Sequence, residues 1–90
     1  MHWKLFADLR ECAGADTVAV ESAETVGEAL DALLVDHDAL RERVLDADGE
    51  VVPDVNVLKN GVNVADVGAG LDEPVSEDDE LALLPPVSGG

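Results

Sequence analysis

Ninety residues are enough for one small domain with a modest core, too few for a substrate domain beside a cofactor domain. Five Lys+Arg against 21 Asp+Glu give a formal net charge of -16. That charge repels phosphate backbones and anionic lipid headgroups, so nucleic acid and membrane surfaces are excluded as natural partners. No run of the sequence is long and apolar enough to span a bilayer, and "MHWKLFADLREC" lacks the layout of a signal peptide, so a cytoplasmic location is expected. Cys12 is the only cysteine, which rules out an internal disulfide and fits a reducing compartment. The acids are spread among apolar positions that make up 47% of the chain, the pattern of an acidic surface around an ordinary core. Aspartate exceeds glutamate and lysine is scarce, a bias associated with proteins that work in molar salt. There the Debye length falls to roughly 3 Å and carboxylate repulsion is screened. Thermal unfolding at pH 7 should therefore move upward between low salt and molar KCl.

Taken in chain order, "HWKLFADL" alternates, with Trp3, Leu5, Ala7 and Leu9 on one face and His2, Lys4, Phe6 and Asp8 on the other, which predicts a first strand. "RECAGAD" reads as a turn around Gly14, and "DTVAVE" as a second strand with Val18 and Val20 on one face, giving a hairpin-like pair. In "TVGEAL", Thr25 stands three residues before Glu28, the spacing of a capping box, and a helix starts there. Behind the cap, Val26, Ala29, Leu30, Leu33 and Leu34 form one stripe at helical spacing, which must cover a sheet. "HDALRERVL" suggests a short extra helix capped by Asp38, with Leu40, Val44 and Leu45 turned inward. "VNVLKNGVNV" reads as a hairpin around Asn60-Gly61, and "LALLP" as a buried final strand closed by proline. The expected fold is α+β: a five-stranded mixed sheet with one long helix on one face and a short extra helix, spanning residues 1–85, followed by a flexible tail, 86–90.

Catalytic signatures are missing. Gly61, Gly68 and Gly70 do not make a dinucleotide or phosphate-loop spacing. Aligning Gly49 of "DADGE" with the glycine of a calcium loop puts Val44 and Val55 where carboxylates belong, so this segment reads as a turn. His2 and His37 are too few for a metal site, and Cys12 reads as a small buried hydrophobe rather than a nucleophile. Neither a metal nor an intrinsic cofactor is expected. Glu77 to Glu80 reads as a solvated turn.

What remains is "PPVSGG". Pro85 and Pro86 lack a backbone N–H, so the last strand cannot extend its ladder, and residues 87–90 reach at most about 14 Å when extended. Gly89 and Gly90 lack Cβ and suit a narrow channel. A terminal carboxylate, with a reference pKa of about 3.3–3.7, is ionised and a poor acyl electrophile until it is activated, for example as an acyl adenylate.

The strand order, "WKLFADLRECAGAD", "TVGEAL" and "DELALLPPVSGG" together resemble the ubiquitin-like β-grasp proteins of the MoaD and ThiS type, in particular the small archaeal modifier proteins of halophilic archaea. The resemblance implies that the chain is not an enzyme but the substrate of an E1-like adenylating enzyme that consumes ATP. Gly90 would be adenylated, then converted to a thiocarboxylate for molybdopterin biosynthesis or tRNA thiolation, or joined by an isopeptide bond to lysines of target proteins. Pro86, Val87, Ser88 and Gly89 would be the recognised tail. The molybdopterin synthase large subunit is an implied partner, and the free protein is expected to be a monomer. Relatives often have glycine where Asp78 begins the last turn; aspartate tolerates a left-handed backbone, so that turn is expected to survive. Phe6 and Leu84 are candidates for a docking patch on the open face of the sheet. Two other readings compete: a dedicated molybdopterin synthase small subunit, and a non-covalent binding module with an idle tail.

Overall fold

The computed structural model describes residues 1–85. Pro86 to Gly90, and with them the expected tail, lie outside the described residues. Within the described residues, strands β1 (His2–Leu5), β2 (Thr17–Ala19), β3 (Asn56–Lys59), β4 (Val62–Asn63) and β5 (Glu80–Leu84) form one sheet in the order β2-β1-β5-β3-β4. The last strand in sequence is thus the middle strand in space. It runs parallel to β1, with Leu5 beside Leu83, and antiparallel to β3, with Asn56 beside Leu84. Placing "LALL" between two neighbours explains its near-continuous apolar character, since a central strand is covered at both edges and its Leu81 and Leu83 are fully buried.

Helix α2 (Val26–Asp36) lies across one face of this sheet. Its N-terminus is fixed as the Thr25–Glu28 spacing predicts: the Thr25 hydroxyl accepts from the Glu28 N–H at 3.2 Å, and the Glu28 carboxylate reaches the N–H of Glu24 at 3.4 Å. Val26, Ala29, Leu30, Leu33 and Leu34 are all buried, against Trp3, Leu5, Leu81 and Leu83 among others. Trp3 is fully buried and its indole N–H donates to the Ala29 carbonyl at 3.0 Å, so the one polar atom of the largest core side chain has a partner on the helix.

Two sequence expectations are corrected. The alternation from His2 does not run to Leu9: the strand stops at Leu5, Phe6 still has extended angles (φ -127, ψ 153), and Ala7–Ala13 form helix α1. Over this longer window Leu9 is buried while Cys12 and Ala13 pack half-buried against the core, an i, i+3, i+4 stripe that outweighs the two-residue period. The reversal from strand to helix is made at Ala7, whose φ of 52 is unusual for a residue with a Cβ and locally strained. Gly14, with φ 75, ends α1 rather than forming a hairpin turn, and its N–H donates to the Arg10 carbonyl. The β1–β2 pair is antiparallel as expected, but a helix connects it.

In "HDALRERVL", a 3-10 turn (Asp38–Leu40) leads into a single turn of helix, α3 (Arg41–Val44), with Leu40 and Val44 buried. Asp38 is not its cap. Its carboxylate instead pairs with the Arg41 guanidinium at 3.1 Å, because it is the first residue inside the turn rather than the one before it. Cross-ties hold α1 to this segment: the Arg43 guanidinium donates to the Asp8 carboxylate at 2.8 Å, and the Cys12 thiol to the Ala39 carbonyl at 3.3 Å. Cys12 is half-buried, in keeping with a structural role.

Candidate functional site

The site begins where β5 ends. The chain emerges at Pro85 from the middle of the sheet, with β1 on one side and β3 on the other. Because paired residues share a face, Trp3, Leu5, Val57, Leu81 and Leu83 define the covered face, and Lys4, Leu58, Ala82 and Leu84 define the open one. Phe6 follows Leu5 with extended angles and therefore keeps the parity of Lys4, one step beyond the Leu5–Leu83 pair, as Leu84 is on β5. Phe6 and Leu84 accordingly end two adjacent strands on the same open face, as the sequence suggests. Phe6 is 42% exposed, and Leu84 is half-buried.

Sequence reasoning missed two features of this end. Leu58 and Ala82 extend the apolar strip across the open face, visible only once the β3–β5 register is known. A shallow depression beside Phe6, of about 220 Å³, is lined also by Lys4, Arg10 and Asp16, so two of the five basic residues of a strongly acidic chain flank the ring together with one acid. Arg10 has no ion-pair partner among the described residues, whereas Lys4 lies 3.5 Å from the Glu80 carboxylate.

At the opposite end, β5 is pinned. The Asn60 amide donates to Asp79 Oδ1 at 2.9 Å, its carbonyl oxygen accepts from the Glu80 N–H at 2.9 Å, and the Ser76 N–H donates to Asp79 Oδ2 at 2.8 Å. Asn60 (φ 50) and Gly61 (φ 85) make the left-handed turn that the Asn-Gly pair predicts. Asp78, where relatives often have glycine, does not take a left-handed conformation, by contrast; the turn is held by the side-chain bonds of Asp79 instead. The Asn60 and Ser76 donors, aided by the charge of Lys59 and against a smaller cost of burial, hold the Asp79 carboxyl below its ordinary pKa. Lys59 Nζ is bound by the Glu73 carboxylate at 3.1 Å and the Pro74 carbonyl at 2.8 Å. Among the described residues no group of three His, Cys, Asp or Glu side chains is placed to hold a metal ion. No helix there is long and apolar enough to cross a membrane.

The fold is shared with known proteins. A model of the ThiS family matches residues 3–90. The chain belongs to the ThiS family. It is 53% identical to small archaeal modifier protein 1 of Haloferax volcanii, an alignment that covers 100% of both chains. The crystal structure of that protein superposes with a TM-score of 0.89 over 99% of this chain and 97% of the other. The solution structure of small archaeal modifier protein 1 from Methanosarcina acetivorans matches at 35% identity with a TM-score of 0.88, covering 99% of this chain and 94% of that one. The crystal structure of the BexX/CysO complex of Amycolatopsis orientalis matches at 28% identity with a TM-score of 0.83, covering 99% and 98%. This ThiS-family chain therefore has the ubiquitin-like β-grasp fold, with a five-stranded mixed sheet and three α-helices among the described residues, and is a homologue of a small archaeal modifier protein.

Proposed function

We propose that this protein is a ubiquitin-like modifier and sulfur carrier whose reactive atom is the carboxyl carbon of Gly90. The observation that carries the reading is the end-to-end similarity to small archaeal modifier protein 1, joined to a central strand that brings Pro85 to the end of the apolar open face. An E1-like enzyme docks on Phe6 and Leu84 while Pro86, Val87, Ser88 and Gly89 thread into its active site. The Gly90 carboxylate attacks the α-phosphorus of ATP, pyrophosphate leaves, and a mixed anhydride with AMP results. A sulfide-level sulfur donor or a lysine amine then attacks the glycine carbonyl and AMP leaves, which gives a thiocarboxylate or an isopeptide. Glycine leaves that carbonyl uncrowded from both faces. The thiocarboxylate would serve molybdopterin synthesis, with the synthase large subunit as partner, or tRNA thiolation.

The test uses purified E1-like enzyme, ATP and molar KCl. Acyl-AMP should form on the full chain, and removal of Gly89 and Gly90 should abolish it with no loss of fold. Failure of the full chain to form acyl-AMP would overturn the reading and favour an idle tail. Mass spectrometry of protein from the native host then separates the two fates. Exchange of one oxygen for sulfur marks the carrier, and glycine-glycine remnants on lysines of other proteins mark the modifier. Thiocarboxylate without any such remnants would point to a dedicated molybdopterin synthase subunit.

A further inference from the structure

The edge of the sheet formed by β2 is separated from β5 by β1. The ladder to β1 fixes which way its backbone points. The Leu5 N–H donates to the Asp16 carbonyl and the Val20 N–H to the Met1 carbonyl, and Val18 stands opposite Trp3 between them. In an antiparallel pair the bonding positions alternate, so Asp16, Val18 and Val20 face β1 while the N–H and C=O groups of Thr17, Ala19 and Glu21 point outward. Those outward groups have no backbone or side-chain partner among the described residues. The edge contains no proline, lysine or bulge to blunt it.

Directly beneath this edge, toward α2, runs a groove of about 430 Å³ lined by Ala19, Val20, Glu21, Ala32, Val35 and Asp36. Val35 is 70% exposed, more than any other large hydrophobic among the described residues, though it sits on the helix that supplies the core. A segment added to the edge, about 4.8 Å from β2, would send every second side chain into this groove against Val35, Ala32 and Val20. The groove has no basic residue in its lining. Asp16 and Glu21 bracket the strand, and Asp36 closes the floor.

We infer that the β2 edge is a second docking site, which takes an extended segment of a partner protein as an added strand, with alternate apolar side chains and a lysine or arginine at each end. Open backbone groups supply affinity, the Val35 groove selects the alternate side chains, and the acids at both ends select basic flanks. The site does not use Gly90, so it is testable on the chain that lacks Gly89 and Gly90; its Asp16–Thr17 end borders the depression beside Phe6, and the Val35 groove on the far side of the strand keeps its outcome separate from that of the proposed function.

The probe is a blocked peptide carrying lysine at each end of an alternating valine–threonine run, titrated into isotopically labelled protein. The amide signals of Thr17, Ala19 and Glu21 should shift saturably and exchange more slowly with solvent. The same peptide with glutamate ends should bind about tenfold more weakly. Ala19→Pro removes an N–H that points away from β1 and is tolerated at an edge, so the domain should stay folded and binding should fall at least about tenfold. Val35→Asp, on an exposed helix surface, should do the same and serves as the deciding variant if proline disturbs the strand. Absence of saturable shifts at millimolar peptide would overturn the inference. So would shifts centred on Leu58 and Leu84, or unchanged binding by Val35→Asp.

Discussion

The two ends of strand β5 are built on opposite principles. At its start, Asn60, Ser76 and Asp79 exchange short hydrogen bonds, and Lys59 is gripped by Glu73 and Pro74, so the entry to the strand is tied to the β3–β4 turn. At its finish, Leu84 is half-buried and Phe6 is 42% exposed, with no side-chain hydrogen bond to fasten either residue among the described residues. Fastening one end of the central strand leaves the other free of side-chain ties, and because that strand is bonded on both edges, a load applied at Pro85 is carried along its whole length.

The most severe test of this contrast is Asp79→Ala. It removes the acceptor of the Asn60 amide and the Ser76 N–H, and should cost about 0.5–1.5 kcal/mol, read as a lower midpoint in denaturant with an unchanged slope. Loss within about 0.3 kcal/mol would show that the fastening is decorative. At the other end, Phe6→Ala should change stability by no more than about 0.5 kcal/mol but weaken binding to the activating enzyme by about tenfold, measured by titration calorimetry. Equal affinity would remove Phe6 from the docking surface.

Acid titration sharpens the comparison further. The Asp79 carboxyl is held below its ordinary value of 3.8 in the folded state, so the unfolded chain takes up its proton first as pH falls. Its contribution is complete above the unfolded value and lost as pH drops through the folded one. Asp79→Asn should therefore flatten the stability curve below about pH 4 relative to the parent and leave its shape above pH 5 unchanged. The smallest effect is chemical. Lys59 is 22% exposed and bound on several sides, whereas Lys4 is 47% exposed beside Glu80 alone, so an amine-acylating reagent should label Lys4 several-fold faster, as read by peptide mapping. Equal rates would show that the fastened end opens freely.

Features carried by neighbouring residues were legible in the sequence. The Thr25–Glu28 cap, the α2 stripe and the Asn60-Gly61 turn depend on residues within one or two turns of each other, and each stands where its spacing placed it. Helix α1 was not legible because "HWKLFADL" satisfies a two-residue period up to the point where Leu9, Cys12 and Ala13 satisfy a helical one. Only burial against the core chooses between them. Asp38 failed as a cap by a single position, the usual uncertainty of a helix boundary. Of the candidate site, Phe6 and Leu84 followed from alternation, whereas Lys4 and Arg10 beside the ring depended on where α1 turns back.

By itself, then, the sequence determined which segments become strand or helix in most of the chain, which faces are apolar, and that its acids belong on the surface, since all of these follow from local periods and local turn chemistry. The tertiary structure alone decided that the last strand is the central one, that it runs parallel to the first, and that β2 is left with an open edge. Those facts arise from backbone pairing between residues some 78 positions apart in the chain, such as Trp3 and Leu81, and no local pattern of side chains encodes which edge a strand will choose.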